Sequence, residues 1–195
     1  TGKRSYSWRA DKPSTLIYVK ALDKGNPAIK TEYRDEVFEI DAPFNGEGKS
    51  LVKTTNRFSG IDWGTESIAI VYDYWWDTRN RKAYVFNPSS PNSKPKTLYD
   101  RNYQDIYSDP GSFLKTRNTF NKNVLMLHKG SAFLRGAGFS EEGQFPFIDK
   151  LNITTLNKSR VYQSKYTDKV EAIQDYNPAT NELIVRIESP TEYPN

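Results

Sequence analysis

The sequence predicts an all-β chain, and within that class a partial β-propeller of about three four-stranded antiparallel blades plus the first hairpin of a fourth. Three observations carry this. Apolar residues rarely recur at helical spacing, while period-two segments appear throughout the chain. Aromatic residues make up 14% of the 195 residues against a hydrophobic content of only 36%, a mix that suits short strands wetted on one side. The same four-step order of strands returns about every 50–60 residues, within the range of a propeller blade period.

Four segments read as buried second strands: TLIYVKA from Thr15, SIAIVYD from Ser67, VLMLHKG from Val124 and ELIVRIE from Glu182. Each follows a turn, at Lys12-Pro13-Ser14, Gly64-Thr65-Glu66, Asn121-Lys122-Asn123 and Pro178-Ala179-Thr180-Asn181, where turn-forming residues interrupt the alternation. Ahead of each turn lies another extended segment: SYSWRAD, FSGIDWG, SFLKTRN and VEAIQDY. With Leu16, Ile68, Leu125 and Leu183 as equivalent points, the separations are 52, 57 and 58 residues. Two more strands follow each of the first three hairpins: DEVFEIDAP and KSLVKTT, KAYVFNP and KTLYDRN, FPFIDKLNI and SRVYQSK. The expected blades are 1–56, 57–106, 107–168 and an incomplete 169–195. A barrel or sandwich also supplies many short strands but does not require this repeated order.

A blade buries its faces only against its neighbours, so three and a half blades do not readily close a ring. Residues 1–195 therefore read as a fragment of one propeller domain, with open blade edges that offer self-association.

Charge and composition exclude several classes. The net charge of +4 is spread evenly, with 16 Lys/Arg against 13 Asp/Glu in residues 1–100 and 12 against 11 in 101–195. No basic arm or nucleic-acid module is present, and Arg79, Arg81 and Lys82 read as a solvated turn. The absence of cysteine removes disulfides and thiolate sites. No apolar run is long enough to span a membrane. No metal-ligand spacing, calcium loop or phosphate-cradling glycine loop occurs, so neither metal nor cofactor is expected.

YSWRADKPSTLIYVKALDKGNP from Tyr6, DEVFEIDAPF from Asp35, GIDWGTESIAIV from Gly60, YSDPGS from Tyr107 and VRIESPTEYPN from Val185 together resemble the propeller of the prolyl oligopeptidase family of serine peptidases, closest to its glutamyl-specific branch. The resemblance covers essentially the whole chain. It implies a parent protein that joins an N-terminal propeller, which filters and holds peptides, to a C-terminal α/β-hydrolase domain with a Ser-Asp-His triad. That hydrolase domain is absent from this sequence. A nucleophile elbow needs Gly-x-Ser-x-Gly between strand and helix, and the nearest string, GFSEEG from Gly138, has one residue too many. The single histidine, His128, lies inside a strand-like run, away from any elbow, and reads as structural.

Other residues have bland and sharp readings. Asp35-Glu36 and Glu141-Glu142 are sequence neighbours, so in a strand they point to opposite faces and make poor acid–base pairs. Trp75 and Trp76 read as one ring packed and the next in solvent, with a sugar platform as the rival. Trp8 and Trp63 read as packing between blades. Arg9 is the one candidate substrate-binding residue. On an innermost strand it could steer acidic peptides inward, and the alternative is an ion pair with Asp11 or a neighbouring blade. The expected function is a non-catalytic propeller segment that gates and positions peptides for a hydrolase domain elsewhere in the parent chain. A free-standing propeller binding protein or glycan is the alternative. An exported location is preferred only by analogy.

Overall fold

A computed structural model describes residues 2–189 and 191–192; Pro190 and the last three residues of the VRIESPTEYPN motif lie outside the described residues. Every regular element described is a β-strand. β1 (Arg4–Trp8), β2 (Thr15–Ala21), β3 (Asp35–Asp41) and β4 (Lys49–Thr54) pair in that order into a four-stranded sheet, each antiparallel to the next. β5 (Arg57–Thr65), β6 (Ile68–Trp75), β7 (Asn80–Phe86) and β8 (Lys96–Asn102) repeat the pattern as the second sheet.

The turn between β5 and β6 falls at Glu66-Ser67, because Thr65 pairs with Ile68. This is later than the Gly64-Thr65-Glu66 turn read from the sequence. A register shift between Trp63 and Thr65 takes Gly64 into the strand as an irregularity, a usual place for glycine in a ladder.

The chain divides into two compact units. The first holds the chain up to Gln104 together with Thr116–Leu125, and the second holds Asp105–Lys115 with the chain from Met126 onward. In the first unit, Ile17, Val19, Val37 and Leu51 of the first sheet share one buried cluster with Trp63, Ala69, Val71 and Phe86 of the second. The two sheets thus pack face to face. Each fully buried aliphatic side chain there contributes about 1.5–3 kcal/mol relative to exposure.

The third sheet is less regular. β9 (Ser112–Phe113) and β12 (Leu127–His128) both pair with β13 (Ser131–Gly136), followed by β16 (Phe147–Asn152) and β17 (Lys158–Gln163). Ser112 lies opposite Arg135 and Phe113 opposite Leu134, while Leu127 lies opposite Ala132 and His128 opposite Ser131. The Leu114 N–H donates to the Phe133 carbonyl at 2.8 Å and the Met126 N–H to the Leu114 carbonyl at 2.9 Å. One inner strand is therefore made of two pieces in continuous register. Between them runs an excursion containing the hairpin of β10 (Lys115–Arg117) and β11 (Asn123–Leu125).

This corrects the expectation that VLMLHKG is the second strand of the third blade, with Leu125 equivalent to Leu16. β13 takes that place, and the apolar run is shared out. Val124 joins the core of the first unit, and Leu127 and His128 complete the inner strand. An unbroken apolar run cannot disclose that its halves serve different sheets.

A small hairpin of β14 (Phe139–Ser140) and β15 (Gly143–Gln144) interrupts the connection from β13 to β16. β18 (Val170–Asn177) and β19 (Glu182–Glu188) form the final two-stranded sheet. Ile173 and Tyr176 of β18 pack with Phe133 and Ile148 of the third sheet, repeating the face-to-face packing of the first unit. Successive antiparallel meanders packed in this way are the blades of a β-propeller.

Candidate functional site

The polar centres of the first unit lie where its two sheets meet. β1 ends at Trp8, and the next residue, Arg9, hydrogen-bonds through its N–H to the Thr15 carbonyl at 2.9 Å. Alternation turns Trp8 outward, where it is 56% exposed and meets Phe44 edge-on. Trp8 thus does not pack between sheets as expected, whereas Trp63 does, at 5% exposure. Trp75 is half-buried beneath the Arg34 guanidinium and Trp76 is exposed beneath Arg79, matching the packed-then-wet reading of that pair.

Arg9 turns inward and is 2% exposed. Its Nε donates to Asp11 Oδ1 at 3.0 Å, Nη2 to Asp11 Oδ2, and Nη1 to Glu39 Oε2. The guanidinium lies 4.3 Å above the centre of the Trp63 ring. Burial opposes its charge, but the hydrogen bonds and fields of Asp11 and Glu39 outweigh burial and raise its pKa above the ordinary value. Arg9 therefore ties β1 and β3 to the second sheet, with its donors directed at protein carboxylates.

A second charged centre sits at the opposite ends of the same strands. Arg57, the first residue of β5, reaches Asp23 Oδ2 at 2.6 Å and Asp35 Oδ1 at 3.0 Å. Arg34 also donates to Asp23, and Arg4 and the Phe58 N–H donate to Asp35. Both carboxylates are fully buried. Burial pushes the Asp23 pKa up, but Arg57, Arg34 and the Gly25 N–H together hold it below the ordinary range.

Asp73 of β6 differs, because its donors are neutral. The Asn56 N–H (2.9 Å), the Asn56 amide (3.1 Å) and the Tyr84 hydroxyl (3.2 Å) surround it. Burial dominates these hydrogen bonds and raises its pKa. Tyr84 continues from there into a cleft of about 530 Å³, lined also by Tyr33, Glu36, Ser50, Lys53 and Lys94. A cleft of that volume falls within the range of small-ligand pockets. The sequence reading missed Asp73. Its signal was a carboxylate on an inward position of the otherwise apolar strand IAIVYDYW.

The hydrolytic constellation is not assembled among the described residues. Ser140 of GFSEEG lies in the β14–β15 hairpin and its hydroxyl donates to the Gly143 carbonyl at 3.1 Å. Among the described residues no helix follows it, as a nucleophile elbow requires. His128 is half-buried in β12. No group of three or more His, Cys, Asp or Glu among the described residues is placed to hold a metal ion, and no helix there is long and apolar enough to cross a membrane. Glu141 and Glu142 occupy the exposed turn of the small hairpin.

Fold and charged centres define a set of propeller blades whose ion pairs join sheet to sheet. By sequence the chain is related to proteins named "Probable glutamyl endopeptidase, chloroplastic". It is 37% identical over 182 residues, 88% of its length, to the one from Oryza sativa subsp. japonica. To the one from Arabidopsis thaliana it is 36% identical over 183 residues, also 88%. It spans 19% of each of these relatives. The resemblance to a glutamyl-specific peptidase, read from the motifs, agrees with the names these relatives carry. No protein-family model matches the chain. Among solved structures, the β-propeller domain of the Trilobed protease from Pyrococcus furiosus aligns with 97% of this chain and 56% of its own, at TM-score 0.45 and 10% identity. An oligogalacturonate lyase in complex with manganese aligns with 87% of this chain and 38% of its own, at TM-score 0.41 and 14% identity.

Proposed function

We propose that this chain is a non-catalytic propeller segment of a prolyl-oligopeptidase-like serine peptidase, with blades at 1–56, 57–106, 107–168 and, incomplete, 169–195. Its role is to gate and position peptide substrates for a hydrolase domain of the parent protein. The observation that carries this reading is the identity of 36–37% over 88% of the chain to proteins named as glutamyl endopeptidases, of which it spans 19%. The lack of an elbow at Ser140, its hydroxyl already turned to the Gly143 carbonyl, supports the non-catalytic part. Gating is steric: rigid blades admit extended peptides and reject folded proteins. The paired, buried setting of Arg9 favours a structural role over contact with substrate, so peptide selection is assigned to other residues.

The test is turnover. The purified chain leaves Glu-containing peptides intact, while the full-length protein cleaves short peptides and spares a folded protein carrying the same sequence. Robust hydrolysis by the chain alone, abolished by His128→Ala, would overturn the non-catalytic assignment. A full-length protein with no Gly-x-Ser-x-Gly string and no peptidase activity would favour the second reading, a binding propeller. Trp76, 64% exposed, is the residue that favours that reading, as a stacking surface for protein or glycan.

A further inference from the structure

The segment 42–48 joins β3 to β4 and is tied down at both ends. On the β3 side the Ala42 N–H donates to the Ser14 carbonyl at 3.1 Å and the Phe44 N–H to the Asp41 carbonyl at 2.8 Å. On the β4 side the Gly48 N–H donates to the Tyr18 hydroxyl at 2.9 Å, and the Lys20 ammonium meets Glu47 at 2.6 Å. Asn45 and Gly46 lie between these tethers and are exposed. Gly46 has φ +80°, which glycine adopts readily, and the space around the place of a Cβ is open.

Asn45 is the one asparagine of the chain that is followed by glycine. Asn26, Asn87 and Asn177 are followed by proline, which has no N–H. The side-chain oxygens of Asn102, Asn118 and Asn152 are each engaged by the N–H two residues on. Neither the Asn45 side-chain amide nor the Gly46 N–H makes a hydrogen bond among the described residues. The chain thus holds an electrophilic amide carbon next to an uncovered peptide nitrogen, with no Cβ on the following residue to obstruct their approach.

We propose that Asn45 is a site of spontaneous covalent modification, converted through a cyclic imide to an isoaspartyl or aspartyl residue, with water as the co-reactant. Hydroxide removes the Gly46 amide proton, and the nitrogen bonds to Asn45 Cγ. The Cγ–Nδ2 bond breaks, and the leaving nitrogen takes a proton from water and departs as ammonia. Water then opens the imide. Cleavage of its nitrogen from Cγ leaves aspartate. Cleavage from the main-chain carbonyl carbon leaves isoaspartate, whose backbone runs through the side chain and is one methylene longer. Either product puts a new carboxylate next to Gly46, whose carbonyl accepts from the Lys3 ammonium at 3.3 Å. With both ends of the segment tethered, the extra methylene is taken up between Phe44 and Gly48. Ammonia is lost to solvent, so the change runs one way and the modified fraction records the age of the molecule. The site lies in the first unit and is independent of the peptidase reading.

The experiment incubates the full chain in neutral and in mildly alkaline buffer, folded and in urea, and follows the Asn45 peptide by mass spectrometry. The expected result is a gain of about one mass unit at Asn45, ahead of every other asparagine, at a rate that rises with hydroxide concentration. An isoaspartyl methyltransferase should transfer label from S-adenosylmethionine to the aged chain and not to the fresh one. Asn45→Asp carries the product charge from the start and marks the acidic band that aged wild type acquires on isoelectric focusing. Asn45→Gln, whose imide would need a six-membered ring, loses that band. The folded chain is expected to react within about tenfold of the chain in urea, as an exposed site that needs no unfolding should. No mass gain at Asn45, an equal gain at the other asparagines, or a folded rate more than about tenfold below the rate in urea overturns the proposal.

Discussion

Arg57 Nη2 lies 2.6 Å from Asp23 Oδ2, joining the first strand of the second sheet to the turn that follows β2. The same guanidinium holds Asp35 at 3.0 Å, so one side chain neutralises two carboxylates that are fully buried. Arg57→Ala leaves both short of a partner, although Arg34 and Arg4 remain. The expected loss is about 3 kcal/mol, the lower end of the range for breaking a buried pair, read from urea unfolding. Because Asp23 titrates below its ordinary 3.8 in the fold, its stabilisation is present above about pH 4 and disappears as pH falls through the folded-state value. Wild type should therefore lose more stability than Asp23→Asn on acidification below pH 4.

Asp73 should show the opposite sign. Its folded-state pKa is raised above 3.8 by burial, so the folded chain binds more protons than the unfolded chain between those two values. Stability then falls as pH rises through that window and levels off above the folded-state pKa. Subtracting the pH profile of Asp73→Asn from that of wild type should isolate this decline; a difference that rises with pH would refute it.

Asn118 anchors the excursion between β9 and β12. Its side-chain amide donates to the Ala10 carbonyl at 2.7 Å, while Oδ1 accepts from the Phe120 and Lys122 N–H groups at 3.0 Å. Asn118→Ala removes all three, with an expected cost of about 1–3 kcal/mol. Amide hydrogen exchange should accelerate at Phe120 and Lys122 while β13 and β16 keep their protection.

Gly138→Ala is expected to be among the most damaging small changes. The backbone sits at φ +65°, and a Cβ would meet the Phe145 carbonyl oxygen at 1.9 Å. The steric cost of that dihedral, about 1–2 kcal/mol, adds to an overpacking cost of about 1–3 kcal/mol. The midpoint of thermal unfolding should fall accordingly, whereas Gly130→Ala, with open space around its Cβ, carries only the dihedral cost.

Much of the fold was legible because alternation is a local signal. β3 and β19 alternate in exposure as the pleat requires, β2 and β6 are the apolar runs of buried strands, and the turns flanking β2, β3 and β19 carry Pro, Gly or Asn. The partnership of Arg9 with Asp11 was also within reach, because both residues lie on one short segment. Its second partner Glu39 was not, since a contact thirty positions away depends on how β3 pairs with β2. The splitting of VLMLHKG escaped for a similar reason: sequence shows that Val124 and Leu127 are apolar, not which core each one enters. Asp73 and Glu171 stood as carboxylates on inward registers of apolar strands, a mark that locates a buried acid without naming its partner.

Residues 115–126 can be regarded as a graft on an otherwise uninterrupted ladder. Because Leu114 and Leu127 already face consecutive residues of β13, the appendage can be shortened, lengthened or exchanged without changing which residues face each other elsewhere in that sheet. Evolution and protein engineering thus share a ready socket at this position, and a replacement that keeps an amide at position 118 keeps the tether to the Ala10 carbonyl.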